Sequence, residues 1–149
     1  YYGDVKDAEI LSARVDNFAH PTYPELNDFG EVSLRGDNDC SNYFRVDWFT
    51  PDGLSIWGDG RTIVLGTEGY IELRKYTDVA RESSGNHLYL VNDEGEYHLD
   101  LNGKVGYPFF GQFILDCLNR TETAMTQAHA FKAGELAVKT QLKAEETKV

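Results

Sequence analysis

The chain has 149 residues, 41% of them hydrophobic and 13% aromatic, which excludes a disordered or collagen-like polymer. No apolar run approaches the roughly 20 residues that a membrane helix needs. Acidic side chains number 25 and basic ones 14, and the resulting net charge of −11 repels phosphate backbones and anionic lipids. We therefore expect one domain, spanning residues 1–149, that binds neither nucleic acid nor a membrane.

Cysteine usage and the start of the chain give weaker signals. Cys40 lies in a polar turn and Cys117 in a predicted helix with apolar neighbours, so both are expected to be free thiols, with Cys117 as a small core residue. Nothing resembles a signal peptide, which favours a cytoplasmic location. Because the chain starts at Tyr1 and its single methionine is Met125, we expect that upstream sequence has been removed.

The first half of the chain alternates apolar and polar residues, as strands do. A loop with two prolines, starting at His20, follows the first predicted strand. Thr50-Pro51-Asp52-Gly53 suits a tight turn, because proline fits its second position and glycine its fourth. Leu54 and Ile56 then supply the apolar positions of a resumed strand. The strands predicted before this turn are Asp7–Phe18, Glu31–Arg35 and Asn42–Phe49.

Glycine-bounded turns organise the middle of the chain. Gly58-Asp59-Gly60 interrupts the sheet, the strand restarts at Ile63 and Leu65, and Gly66-Thr67-Glu68-Gly69 leads into a strand over Tyr70–Tyr76. The polar segment Thr77–Asn86 is expected to be a mobile surface connection.

A hairpin is predicted after this connection. Its strands are His87–Val91 and Glu96–Leu101 around a tip at Asp93 and Glu94, a register that places His87 opposite Asp100 and Tyr89 opposite His98.

The apolar spacing changes to a helical period at Tyr107. One helix is predicted from Tyr107 to Arg120 and another from Thr126 to Ala144, with Glu135 and Lys139 placed for an exposed ion pair four residues apart. Strands followed by helices predict an α+β fold. It is an open-faced, mostly antiparallel sheet with helices packed on one face and helices at the C-terminus.

The other face of this sheet carries aromatic side chains mixed with charges of both signs. A solvated face and a protein interface are equally compatible with that mixture, since tyrosine and arginine are enriched at contacts. The interface candidates are Arg45, Asp47, Tyr70, Glu72, Arg74 and Tyr76.

No catalytic motif is visible in the chain. Gly58-Asp59-Gly60 lacks the third glycine of a dinucleotide fingerprint and leads into a strand. His87, His98 and Asp100 share one hairpin face, but without further ligands at supporting spacing we predict no metal site.

Loop residues with amide, carboxylate, guanidinium and aromatic groups suit a sugar or polyol instead. For each of them a structural role, such as a turn cap or an ion pair, is favoured about two to one. The substrate-binding candidates are His20, Tyr23, Asn27, Asp28, Trp57, Asp59 and Arg61.

Three runs resemble a known family: Asp47-Trp48-Phe49-Thr50-Pro51-Asp52-Gly53, then Trp57-Gly58-Asp59-Gly60-Arg61, then Leu65-Gly66-Thr67-Glu68-Gly69-Tyr70-Ile71-Glu72-Leu73-Arg74-Lys75-Tyr76. They are similar to the C-terminal domain of the Gfo/Idh/MocA oxidoreductases, the glucose-fructose oxidoreductase and inositol dehydrogenase family. The two predicted helices also resemble that family's ending, so the likeness covers nearly the whole chain.

This resemblance implies an oxidoreductase whose N-terminal Rossmann domain, absent from this chain, binds NAD or NADP. It also implies a sugar, polyol or related small-molecule substrate and a homo-oligomer, dimer or tetramer, formed through the open sheet face. The family's catalytic lysine and aspartate–histidine pair belong upstream of Tyr1, so no catalytic residue is assigned here. The fragment alone is expected to be inactive and to bind no cofactor.

Two other functions stay open at this point. A stand-alone carbohydrate- or protein-binding β module without enzymatic activity would use exposed sheet aromatics equally well, and it would retain sugar affinity in isolation. A family member that has lost its activity would keep the domain in a purely structural role.

Overall fold

A computed structural model describes residues 5–81 and 85–148. The chain divides into two compact units, the first comprising Tyr1–Phe49 with Pro108–Val149 and the second Thr50–Tyr107. Residues 1–4, 82–84 and 149 lie outside the described ranges, and with them Tyr1 and part of the predicted connection after Tyr76.

The first unit contains a three-stranded antiparallel sheet in the order β1-β2-β3. Ala13 pairs with Val32, which pairs with Phe44, so these apolar side chains share one face. A register shift between Ile10 and Ser12 marks a β-bulge in the first strand. The strands are β1 (Ala8–Asp16), β2 (Phe29–Gly36) and β3 (Ser41–Asp47).

The second unit contains a four-stranded antiparallel meander in the order β4-β5-β6-β7. Tight glycine turns join β4 to β5, where Gly66 pairs with Gly69, and β6 to β7, where Asn92 pairs with Gly95. The predicted hairpin register is confirmed, because His87 pairs with Asp100 and Tyr89 with His98. The strands are β4 (Gly60–Gly66), β5 (Gly69–Lys75), β6 (His87–Asn92) and β7 (Gly95–Asp100).

Two helices end the chain, α1 (Pro108–Asn119) and α2 (Gln127–Glu146). Thr126 caps α2 by accepting a hydrogen bond from the backbone N–H of His129. Helix α2 packs on β1, where Lys143 Nζ donates to the carbonyl of Ile10 at 2.6 Å and Ala144 is buried. Neither helix combines the length and apolarity that a membrane crossing requires, as far as the described residues extend.

The predicted α+β class, the open antiparallel strands and the two C-terminal helices are confirmed. The predicted strand through Leu54 and Ile56 is wrong, because residues 52–57 form turns and bends and β4 begins at Gly60. The reversal itself exists, with the N–H of Leu54 donating to the carbonyl of Pro51 at 3.0 Å. Cys117 is exposed rather than a core residue, although both cysteines are free.

Helix α1 carries an apolar stripe that stays exposed. Most residues of α1 are apolar, yet the buried residue of this helix is Asp116. Asp116 Oδ1 accepts hydrogen bonds from the hydroxyls of Thr121 and Thr123, and Oδ2 accepts one from the N–H of Ala124, so this carboxylate fixes the link into α2. The exposed members of the stripe are Phe109, Phe110, Phe113, Ile114, Leu115 and Leu118.

Candidate functional site

The loop between β1 and β2 is braced by the side chain of Asn17. Its Nδ2 donates to the carbonyls of His20 at 2.9 Å and Tyr23 at 2.8 Å, and its Oδ1 accepts from the N–H of His20 at 2.9 Å. The N–H of Tyr23 donates to the His20 carbonyl at 2.9 Å, closing a turn. These bonds satisfy the backbone around two prolines that cannot donate, and they fix the loop that contains most of the first unit's predicted site residues.

Asp28 lies beneath this loop and is 1% exposed. Its Oδ1 accepts a hydrogen bond from the N–H of Phe18 at 2.9 Å, while its Oδ2 accepts from the N–H of Ala19 and from Nδ1 of His20, both at 2.8 Å. Burial raises the pKa of Asp28, but these three donors together outweigh it and hold the pKa below its ordinary value. The side chain is therefore a buried carboxylate that orients the His20 ring.

The other two loop candidates take different positions. Asn27 Oδ1 accepts from Lys148 Nζ at 2.9 Å, so this amide holds the end of the chain just beyond α2. The Tyr23 side chain is 66% exposed. The structure thus brings His20 and Asp28 into direct contact and gives Asn27 a structural partner.

The second unit holds the remaining substrate-binding candidates just before and at the start of β4. Arg61 Nε and one terminal nitrogen donate to Asp59 Oδ2 at 3.2 and 2.8 Å. This ion pair is the structural alternative anticipated for Arg61, and it is partly solvated, as surface pairs are. The nearby Trp57 is 84% exposed.

A polar cluster around Asp78 went unrecognised in the sequence. Asp78 is 1% exposed and accepts hydrogen bonds from Arg74 at 2.6 Å, from the N–H of Ala80 at 3.0 Å and from the hydroxyl of Tyr89. The Tyr89 hydroxyl lowers the pKa of Asp78 most, and despite burial the pKa falls from 3.8 to about 2. The expectation of a mobile surface connection is therefore wrong for Thr77 and Asp78, both of which are buried.

Two histidines extend this cluster along the β6–β7 hairpin. One nitrogen of Arg81 lies 3.3 Å from His98 Nδ1, and His98 Nε2 lies 3.0 Å from His87 Nδ1. Since guanidinium only donates, neutral His98 carries its proton on Nε2 and donates it to His87. His87 is fully buried, and its Nε2 has no hydrogen-bond partner within the described ranges. On this face of the β6–β7 hairpin, hydrogen bonds therefore run in one direction, from Arg81 to His98 and from His98 to His87.

The interface candidates lie on one face of each sheet. In the first unit Arg45 and Asp47 lie on the face of β3 opposite the apolar residues that face α2, and they pair with each other at 2.8 Å. In the second unit Tyr70, Glu72 and Arg74 share a face of β5, and Glu72 pairs with Arg74 at 2.7 Å.

Tyr76 lies just beyond the end of β5. Its φ of 73° places it in the left-handed region, and its exposed ring has Lys75 Nζ 5.3 Å from the centroid.

The described residues offer no fit to a dinucleotide. Gly58-Asp59-Gly60 runs into strand β4, whereas a pyrophosphate group needs free backbone N–H groups at the start of a helix. Helix α1 begins with Pro108, which has no N–H, and the start of α2 is capped by Thr126. Neither this glycine run nor the two described helix starts therefore has the glycine-rich, uncapped geometry that binds a pyrophosphate group.

Comparison with known proteins gives matches among solved structures. No family model and no curated protein matches the chain. A proposed oxidoreductase from Erwinia carotovora atroseptica SCRI1043 is 50% identical over 97% of this chain and 43% of its own, with a TM-score of 0.91. A proposed oxidoreductase from Thermotoga maritima is 18% identical over 93% of this chain and 39% of its own, with a TM-score of 0.70.

These matches fix the context of the domain. The chain spans less than half the length of the solved structures it matches. The Thermotoga protein shares the fold of this chain. The Erwinia protein shares the fold and also has the same residue at half of the aligned positions. The chain is therefore similar, over 97% of its length, to part of a proposed oxidoreductase.

Proposed function

We propose that this chain is the C-terminal, substrate-binding and oligomerisation domain of an NAD(P)-dependent oxidoreductase of the Gfo/Idh/MocA type, acting on a sugar, polyol or related small molecule. The observation that carries the proposal is the 50% identity over 97% of the chain to part of a proposed oxidoreductase. The family resemblance of the sequence supplies the reaction class, hydride transfer between a substrate carbon and nicotinamide.

In this proposal cofactor binding and substrate binding belong to different domains. The described residues do not fit a dinucleotide, so the cofactor binds to the Rossmann domain implied by the resemblance. In the first unit the accessible candidates for substrate contact are His20 and Tyr23, with Asp28 orienting His20 and Asn27 binding Lys148. In the second unit the candidates are Trp57, Asp59 and Arg61. Their hydroxyl-binding and aromatic groups suit a neutral polyol better than an anion, because the chain carries a net charge of −11.

The test of the reaction uses the whole protein that contains this chain. NAD and NADP are each supplied with a panel of sugars and polyols, and reduced cofactor is followed by its absorbance. We expect turnover with at least one polyhydroxylated compound. Absence of turnover, combined with retained sugar affinity of the 149-residue chain alone in calorimetry, would instead support the carbohydrate-binding module.

The oligomerisation part rests on the mixed face of the β4–β7 sheet. Leu65 pairs with Tyr70, so the two share a face, and both are exposed, Leu65 to 78%. Exposed apolar and tyrosine side chains on one sheet face are typical of a contact surface. We infer that this face joins copies of the protein into a dimer or tetramer.

Sedimentation of the whole protein tests this contact. L65E places a charge on the proposed contact face and should shift the protein toward smaller species. V105E adds the same charge at an exposed loop position and should leave the distribution unchanged. Arg74 is a poor choice for this test because it also holds Asp78. A wild-type protein that sediments as a monomer at high concentration would refute the oligomer.

A further inference from the structure

The His20–Asp28 pair joins a buried carboxylate to a partly exposed side chain, an arrangement that the Arg74–Asp78 pair also shows. The Asp28 side chain is completely buried, whereas that of His20 is 38% exposed. Because an ionised carboxylate can only accept hydrogen bonds, Nδ1 of His20 must carry a proton. In the neutral ring the lone pair then lies on Nε2.

The His20 ring is held in place from both sides. Its backbone is braced by Asn17, and its Nδ1 is fixed by Asp28 at 2.8 Å. Asp28 is in turn held by the N–H groups of Phe18 and Ala19. Nε2 of His20 makes no hydrogen bond to any described residue, so the chain presents a rigid, oriented acceptor at a partly exposed position.

Satisfying Asp28 does not by itself require such a ring. Two backbone N–H groups already bind the carboxylate, and the third donor could come from any short polar side chain. An imidazole adds a second nitrogen whose hydrogen-bonding role is set by the first. Histidine oriented by a buried carboxylate is a recurrent way to fix a tautomer for contact with a ligand.

The chemistry around the ring selects the class of ligand. A neutral Nε2 acceptor needs a donor, and the carboxylate behind the ring and the net charge of −11 disfavour an anion. The same loop carries the exposed side chain of Tyr23, of the kind that stacks on the apolar face of a sugar ring. Phe18 is half-exposed, but its ring already contacts Phe29 and Arg14. A neutral molecule with several hydroxyl groups meets all these conditions.

We propose that His20 Nε2 accepts a hydrogen bond from a hydroxyl group of a polyhydroxylated ligand, with Asp28 as the positioning residue that fixes the tautomer. This inference rests on the proposed function, because it names one contact within the proposed substrate site. It makes His20 a binding residue and assigns it no part in hydride transfer.

Calorimetry on the whole protein tests the contact without turnover, with myo-inositol and D-glucitol as probes, each with and without NAD. H20F removes the acceptor and should raise Kd about two- to twelvefold, the range expected for one hydrogen bond. Asp28→Asn lets the amide donate to Nδ1, which moves the ring proton to Nε2, and should raise Kd similarly. Asp39→Asn makes the same change at an exposed carboxylate of the same unit, in the turn between β2 and β3, and should leave Kd unchanged.

The nitrogen signals of histidine provide the readout that a purely structural role would not move. With ¹⁵N-histidine, assigned by comparison with H20F, the wild-type ring should show protonated Nδ1 and unprotonated Nε2. Polyol binding should then shift Nε2 selectively, and Asp28→Asn should reverse the two signals. An Nε2 signal unmoved by a polyol that binds, or no binding of either probe, overturns the inference.

The two proposals fail in distinguishable ways. Cofactor-dependent turnover with unchanged Kd and unchanged Nε2 signals in the variants would refute the His20 contact and leave the oxidoreductase standing. A polyol that binds and shifts Nε2, in a protein that transfers no hydride to either cofactor, would support the contact and refute the oxidoreductase.

Discussion

Replacing Asp78 by asparagine should destabilise the second unit more than any other conservative change of a carboxylate there. In D78N the side chain keeps its size but loses the negative charge that pairs with Arg74 at 2.6 Å. Its amide nitrogen, itself a donor, then faces either the N–H of Ala80 or the hydroxyl of Tyr89. Removing one partner of a buried ion pair costs about 3–5 kcal/mol. The Arg74 side chain is 25% exposed and keeps Glu72 as a partner, so the cost should lie at the lower end of this range, about 3 kcal/mol.

Hydrogen exchange measures this loss locally. A loss of about 3 kcal/mol makes local opening roughly 150-fold more frequent. Hydrogen exchange in peptides covering β5, β6 and the described residues between them should accelerate by the same factor. The matched control is D59N, which also removes a carboxylate from an arginine pair but at a side chain that is 29% exposed. An exposed pair contributes about 0.2–1 kcal/mol, so D59N should accelerate exchange no more than about fivefold.

The comparison of the two variants decides whether burial sets the cost. Equal, small effects of D78N and D59N would mean that the hydrogen bonds of Asp78 contribute no more than a surface pair. A large effect of D78N confined to peptides of the first unit would show that the contacts around Asp78 do not hold the β4–β7 sheet. Either result would refute the reasoning from burial.

Three further predictions concern Gly69, Asp116 and the pH dependence of Asp78. Gly69→Ala should cost more than about 3 kcal/mol, because its φ is 152° and a Cβ there would lie 2.2 Å from a β6 carbonyl oxygen, whereas Gly53→Ala, with open space around it, should exchange like wild type. Asp116→Asn should speed proteolysis between the two helices, whereas Asp93→Asn at an exposed hairpin tip should not. Folding lowers the pKa of Asp78 from 3.8 to about 2, so the ionised side chain stabilises the fold above pH 3.8 and this stabilisation is lost as the pH falls toward 2. Pepsin cleavage of β5 and β6 should therefore rise over that interval. D78N should already be cleaved at a higher pH.

The sequence predicted those parts of the fold that depend on local rules. The β6–β7 register followed from a two-residue turn ending in Gly95, because turn length and strand period together fix which residues face each other. Helix α2 was predicted within two residues at each end, and its Glu135–Lys139 pair forms. These features need no information about distant residues, which is why the sequence was sufficient.

The segment after β3 shows where local patterns fail. Leu54 and Ile56 alternate with polar residues as in a strand, but two apolar positions are too few to distinguish a strand from a loop. Two glycines, at positions 58 and 60, delay the strand until Gly60, where pairing with Lys75 begins. The partner strand decides where β4 starts, and that partner lies beyond the reach of a local pattern.

The candidate site was predictable in its residue types and only partly in its contacts. His20 and Asp28 were singled out because polar loop residues suit a polyol, yet their direct contact depends on the fold of the loop. Asp78 was missed because nothing in a polar segment indicates which carboxylate is buried. Its partner Arg74 lies four residues earlier, which is a usable signal, but Tyr89 is placed by the pairing of β5 with β6.

The buried carboxylates Asp28 and Asp78 are stabilised in the same way but have different partners. Asp28 accepts hydrogen bonds from two backbone N–H groups and His20, and Asp78 accepts them from one backbone N–H group, Arg74 and Tyr89. Each has a lowered pKa. The cationic partner of Asp78 is the Arg74 guanidinium, which also pairs with Glu72, so its positive charge is neutralised within the second unit. The partner of Asp28 is an imidazole with an unused nitrogen. Substitution of either carboxylate should lower stability, because each accepts backbone N–H groups in a buried position. Substitution of Asp28 should in addition change ligand affinity and the His20 tautomer, a difference that follows from the second nitrogen of the imidazole.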